Sequence, residues 1–363
     1  MRIKKEVRKI VASVLAFLMV VSLIPVNSLM TKANAASKTT FEGGKTVEDG
    51  TWKGWTWNVF GSSTDVTKAF ATDTGNGGVT LEVTGDKGKI NGSASDQGLN
   101  TFLYELDKSY DFTITAQAKV DTLAANAQAA FGLTIRDNVG AHGNTAKLTA
   151  DKNNFAFVGG YGNQAASGHG NAGYKTTALA HTRLGESPEV GGTYDLAIQK
   201  VGDSVKLYFN GEVAAECSAD DLITDNAMYV GLFAARNAKV TFNNVKLAYT
   251  QDSSSVKVTT NVTAPKKTTY CAGNTYEDVD LTGFKATVSV DGKEREITAS
   301  DCVVDMSNDP FAEVTDAGKL TLLYLGQTIE VPITVIKEVV SDMYIEYMPV
   351  KTDYMVTDTA LDF

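Results

Sequence analysis

Period-two alternation dominates this chain. In Phe112-Thr113-Ile114-Thr115-Ala116-Gln117-Ala118-Lys119-Val120 every even position is apolar and every odd one polar. That spacing belongs to a strand with one face on a core and the other toward water. Tyr194, Leu196 and Ile198 against Asp195, Ala197 and Gln199 repeat it. The same reasoning predicts strands over 79–83, 112–120, 129–136, 154–158, 193–200, 204–209, 228–234 and 239–247. Asn210-Gly211 between 204–209 and Glu212-Val213-Ala214 predicts a two-residue hairpin, because both turn residues tolerate positive φ. Gly, Asn and Asp clusters separate these runs, and no helical period is sustained, so the class is all-β.

The same pattern divides the chain. Basic residues from Arg2 to Lys9, an apolar run from Ile10 to Ile24, and Ala33-Asn34-Ala35 follow the order of a secretory signal peptide, which sets 1–35 apart. The apolar run is shorter than the roughly 20 residues a membrane-crossing helix needs. A polar, glycine-bearing stretch at 36–51 reads as a loose leader, 52–250 as one large sandwich, and Gln251-Asp252-Ser253-Ser254-Ser255 as a linker. Pro265-Lys266-Lys267-Thr268-Thr269-Tyr270 then returns as Pro349-Val350-Lys351-Thr352-Asp353-Tyr354, at an offset of 84 residues. A fixed period marks a repeated structural unit. One unit therefore occupies 256–338, and 341–363 is the start of a second, incomplete one. A catalytic domain beyond Phe363 is compatible with that truncation.

Charge narrows the partners. Without residues 1–35 the chain keeps 27 basic and 42 acidic residues, a net charge of −15. Such a surface repels phosphate backbones and anionic lipid, which argues against nucleic acid and, once the leader is cleaved, against a membrane. The three cysteines, Cys217, Cys271 and Cys302, cannot all pair within one chain. Cys271 and Cys302 could pair, but the repeat carries Met355 where a second Cys271 would stand, which favours buried free thiols.

Four segments carry a family resemblance: Phe131-Gly132-Leu133-Thr134-Ile135-Arg136-Asp137, Tyr194 to Lys200, Leu207-Tyr208-Phe209-Asn210-Gly211, and Val230 to Ala234 with Val240-Thr241-Phe242-Asn243-Asn244-Val245. They resemble the concanavalin-like (laminin-G-like) jelly rolls at the N-termini of secreted bacterial pectate lyases and other polysaccharide-degrading enzymes. Residues 256–338 resemble a bacterial Ig-like repeat, with a hairpin at Asp291-Gly292 and a terminal strand through Ile329-Glu330-Val331-Pro332-Ile333-Thr334-Val335. The resemblance implies a jelly-roll sandwich followed by an Ig-like sandwich, the second Ig-like unit truncated.

Candidate chemistry is sparse. Glu105-Leu106-Asp107-Lys108-Ser109-Tyr110 lacks the last acid of a two-carboxylate glycosidase strand. No serine sits in a G-x-S-x-G elbow. The residues present are therefore expected to be non-catalytic. Trp52, Trp55 and Trp57 are the only tryptophans, and Trp55 is a candidate sugar-stacking platform, with core packing as the alternative. Arg136, Asp137 and Arg236 could converge on one face if a bulge corrects their register, and a guanidinium fork suits a uronate carboxylate. A structural Arg136–Asp137 ion pair is the alternative. The glycine-rich segment 158–174 reads as a binding loop around Tyr161, His169 and Tyr174. Asp121, Asp137 and Asp151 are the candidate calcium-ligating carboxylates, although no Asp-x-Asp-x-Asp ladder is present. No other cofactor is implied.

These readings combine into a secreted or cell-surface, monomeric, carbohydrate-binding and spacer region of a modular polysaccharide-degrading protein, with pectin or another plant polysaccharide as ligand. The alternative is an adhesin stalk that binds a protein or matrix ligand.

Overall fold

The computed structural model describes residues 39–61, 64–90, 97–148, 153–162, 164–170, 180–185 and 187–337. The expected signal peptide, the incomplete repeat at 341–363, Asp151 and Tyr174 lie outside them, as does the side chain of His169.

Among the described residues fifteen strands build the first sandwich: β1 (Thr39–Thr40), β2 (Trp55–Gly61), β3 (Ala69–Asp73), β4 (Val79–Val83), β5 (Gly98–Asp107), β6 (Asp111–Leu123), β7 (Ala130–Arg136) and β8 (Phe155–Tyr161), then β9 (Gln164–Gly170), β10 (Ala180–Arg183), β11 (Thr193–Val201), β12 (Ser204–Phe209), β13 (Glu212–Ser218), β14 (Ala227–Ala235) and β15 (Ala238–Thr250). One sheet runs β1-β3-β4-β15-β6-β11-β12-β13 and the other β10-β9-β8-β7-β14-β5-β2. The two layers form the expected jelly-roll sandwich. Alternation fills its interior: Phe112, Ile114 and Val120 of β6 share one core with Phe131, Leu133 and Ile135 of β7. Each such side chain contributes roughly 1.5–3 kcal/mol when fully buried. Asn100 on β5 ties the sheets together, since its amide donates to the carbonyls of Phe70 and Glu82 at 2.9 and 3.1 Å, and its Oδ1 accepts from Trp57 Nε1 at 2.7 Å.

Two expectations are corrected here. Much of the expected glycine-rich loop is the hairpin of β8 and β9. Gly132 and Gly159 lie opposite each other with φ of 152° and 151°, where a Cβ would strike the neighbouring strand's carbonyls, so glycine is demanded by strand packing. The expected loose leader is also held down from Thr39 on. Phe41, Gly44 and Val47 donate backbone hydrogen bonds to Ala71, Trp57 and Trp55, and Phe41 stacks on Phe102.

The second sandwich has β16 (Lys257–Thr263), β18 (Lys285–Val290) and β19 (Lys293–Thr298) in one sheet, and β17 (Thr269–Cys271), β22 (Gln327–Ile336), β21 (Thr315–Tyr324) and β20 (Val303–Asp305) in the other. Its own core includes Phe284, Val288, Leu322, Val331 and Val335. Asn210-Gly211 and Asp291-Gly292 take the positive φ expected of their hairpins. A third such hairpin, Leu325-Gly326, joins β21 to β22.

The two sandwiches are docked. Thr113 and Thr115, which alternation turns toward water, face the second sandwich and are buried. Leu325 donates its N–H to Thr113 Oγ1 at 3.2 Å, and Gln327 Nε2 donates to the Ser253 carbonyl at 2.9 Å. Thr250 Oγ1 donates to Asp291 Oδ1 at 2.7 Å. Ala197 and Tyr208 form an apolar patch with Val303 and Leu323. The expected linker is a short 3-10 turn at Ser253–Ser255, capped by the Asp252 carboxylate. Among the described residues no helix is long and apolar enough to cross a membrane.

Candidate functional site

Arg136 ends β7 on the outward side of the seven-stranded sheet, since Ile135 before it packs inward. It is nevertheless fully buried. Its guanidinium lies over the rings of Phe60 and Phe155, 5.6 and 5.2 Å from their centroids. Nε donates to the Asn138 carbonyl at 3.2 Å, and Nη2 donates to Asn153 Oδ1 at 2.9 Å and to Gln97 Oε1. Among the described residues, Nη1 and the Asn153 amide nitrogen have no hydrogen-bond partner. Burial lowers the Arg136 pKa to about 10, against the opposing pull of the Asp137 carboxylate. Burial likewise pushes Asp137 up to about 6, partly countered by Arg136 and by the bonds it accepts from the Asn154 N–H and the Thr224 hydroxyl. The pair braces a loop against the sheet, and its fork is not offered to a polymer in solution.

Arg236 does not join it. Antiparallel register places Tyr229 beside Arg136, so Arg236 stands seven residues farther along, about 23 Å at strand rise. There it takes a φ of 51° in the turn between β14 and β15, and its Nε donates to the Gly88 carbonyl at 3.2 Å. Trp55 is also withdrawn: it lies in the core, stacked on Phe102 with centroids 5.2 Å apart and edge-on to Trp52. Tyr161 is half-buried at the end of β8, with the exposed Arg183 guanidinium 5.0 Å above its ring. His169 pairs with Ala156 near the other end of the β8–β9 hairpin, away from Tyr161. The expected site residues are thus dispersed. Asp121 accepts from the Thr241 hydroxyl, and among the described residues no three acidic, histidine or cysteine side chains form a metal-binding group.

A cleft of about 1260 Å³ opens where the second sandwich meets the eight-stranded sheet. Asp195 and Asn210 line its jelly-roll side, Glu277 and Asp280 the opposite wall, and Tyr208 its inner part. The Asn244 amide donates to Gln117 Oε1 at 2.9 Å along the rim, turned there by a φ of 51° at an irregularity in β15. Among the described residues the Tyr208 hydroxyl has no hydrogen-bond partner, and burial, with Asp305 and Glu216 nearby, pushes it up to about 12. Sequence reasoning missed this cleft, although Val205, Leu207 and Phe209 pointing inward left an aromatic, Tyr208, pointing out.

No family model matches the chain. It is 29% identical over 311 residues to pectate lyase L of Thermoclostridium stercorarium, a match that covers 84% of this chain and 23% of that protein. The chain therefore spans about a quarter of that relative's length. Among solved structures, carbohydrate-binding module CBM66 from Bacillus subtilis is 17% identical, covering 59% of this chain and 96% of its own, with a TM-score of 0.32. An alginate lyase from Corynebacterium sp. is 11% identical, covering 48% and 77%, with a TM-score of 0.33. The expectation of a non-catalytic chain is corrected on this point. Solved structures with a partial likeness to the chain include alginate lyases and glycoside hydrolase family proteins.

Proposed function

We propose that this chain is the carbohydrate-recognising part of a larger exported protein that acts on plant polysaccharide, with pectin the leading ligand. The observation that carries the reading is the match to a pectate lyase over 311 residues. The jelly roll ends at Thr250, so a match of that length also takes in the second sandwich. Docking between the two supports the same conclusion, with the second sandwich serving as a fixed wall beside the jelly roll and not as a loose spacer. The basic, apolar and small-residue order of 1–35 supports export.

Affinity electrophoresis of the full chain through gels containing pectin, polygalacturonate, xylan or β-glucan tests it, with product release measured on the same samples. Retardation by at least one plant polysaccharide is expected. Unaltered mobility in every gel would overturn the proposal.

A further inference from the structure

We propose that the cleft between the two sandwiches is the glycan-binding site, and that it selects an uncharged saccharide chain over a polyuronate. The proposal rests on the carbohydrate reading above and assigns it a place and a charge preference.

Size is the first argument. At about 1260 Å³ the cleft exceeds the ~300–1,000 Å³ of clefts that hold one small molecule, which suits several linked rings. Charge is the second. Asp195, Glu212, Glu277 and Asp280 line it, and among the described lining residues the one cation is Lys285, already held by Glu296 at 2.7 Å. The Asp280 carboxylate is spent on the Thr282 N–H at 2.9 Å, whereas among the described residues those of Asp195, Glu212 and Glu277 make no hydrogen bond or ion pair. Carboxylates accept hydrogen bonds and donate none, so they match sugar hydroxyls and repel uronate carboxylates.

Tyr208 is the independent observation. It is 2% exposed, its ring is fixed against Val303, and it lines the cleft with a hydroxyl that has no hydrogen-bond partner among the described residues. The ring is held by packing while the hydroxyl stays open to the cleft, outside the set of buried polar atoms without a partner. It can donate to a ring or hydroxyl oxygen of a sugar while the acids around it accept. Both walls are needed, one from each sandwich, which makes the docked pair the recognition unit.

The test uses the full chain with one pectin preparation, highly methyl-esterified and therefore nearly uncharged, before and after saponification to polygalacturonate. Wild type is expected to bind the esterified form more tightly than the saponified one. Tyr208→Phe and Glu277→Gln are each expected to weaken binding of the esterified form roughly five- to tenfold. Glu277 is exposed, so its variant tests the cleft even if Tyr208→Phe unfolds. Tighter binding of the saponified form, or binding of the esterified form unaltered in Glu277→Gln and in a folded Tyr208→Phe, would overturn the assignment while leaving carbohydrate recognition intact. Failure of wild type to bind either form, xylan or β-glucan would overturn this assignment and the broader function together.

Discussion

The hydroxyl of Thr115, on β6 of the jelly roll, donates to the backbone carbonyl of Ser300, in the second sandwich, at 2.6 Å. Both groups belong to an interface that also buries Thr113 and Tyr208. Breaking it would leave polar groups that water does not readily reach. Thr115→Val keeps the shape and removes the donor, so it should cost about 1 kcal/mol. Calorimetry of the wild type should show one transition for both sandwiches, and the variant should melt earlier or in two steps. An unchanged profile would remove this bond from the docking energetics.

Asp137 gives the fold a pH dependence of defined sign. Its folded pKa of about 6 exceeds the unfolded 3.8, so between those values the folded chain keeps a proton that the unfolded chain has released. Stability from this group is complete below about pH 4 and falls by up to about 3 kcal/mol as pH rises through 6. Urea denaturation at pH 4 to 7 should show the wild type losing stability relative to Asp137→Asn. A difference that is flat with pH would refute the assignment.

The tryptophans should report the core and not a ligand. All three are buried, Trp57 the most exposed of them at 7%. Their emission should be blue-shifted, resist acrylamide quenching and stay unchanged when polysaccharide binds. A saccharide-dependent shift would return Trp55 to the candidate site.

The thiols should be slow. Burial pushes Cys217 and Cys302 up to about 12, and the three cysteines are free. The thiolate is the reactive form. A thiol reagent should therefore modify Cys271 first in the native chain and all three only in denaturant. Rapid native labelling of Cys302 would contradict its placement in the second core.

Alternation located β6, β11 and β12 because an inward face has one chemistry whatever covers it. It could not say what covers the outward face. Thr113 and Thr115 look like water-facing residues because their hydroxyls suit an interface whose partner groups, the Leu325 N–H and the Ser300 carbonyl, lie far along the chain. Arg136 misled for the same reason: its charge suggested a ligand, whereas Gln97, Asn153 and two phenylalanine rings from separate segments enclose it. Gly159 read as a loop signal, yet it and Gly132 mark close strand approach. Hairpins with Asn-Gly and Asp-Gly were legible from local preference. Leu325-Gly326 was not, since leucine enters that conformation only where tertiary contacts hold it.

The capped turn at Ser253–Ser255 leaves the junction without slack. A polymer tugging on one sandwich would not first straighten a tether. The load would pass at once into the Thr115, Gln327 and Thr250 bonds and into the strands behind them, so the tandem would behave as a single rigid link in a chain under tension.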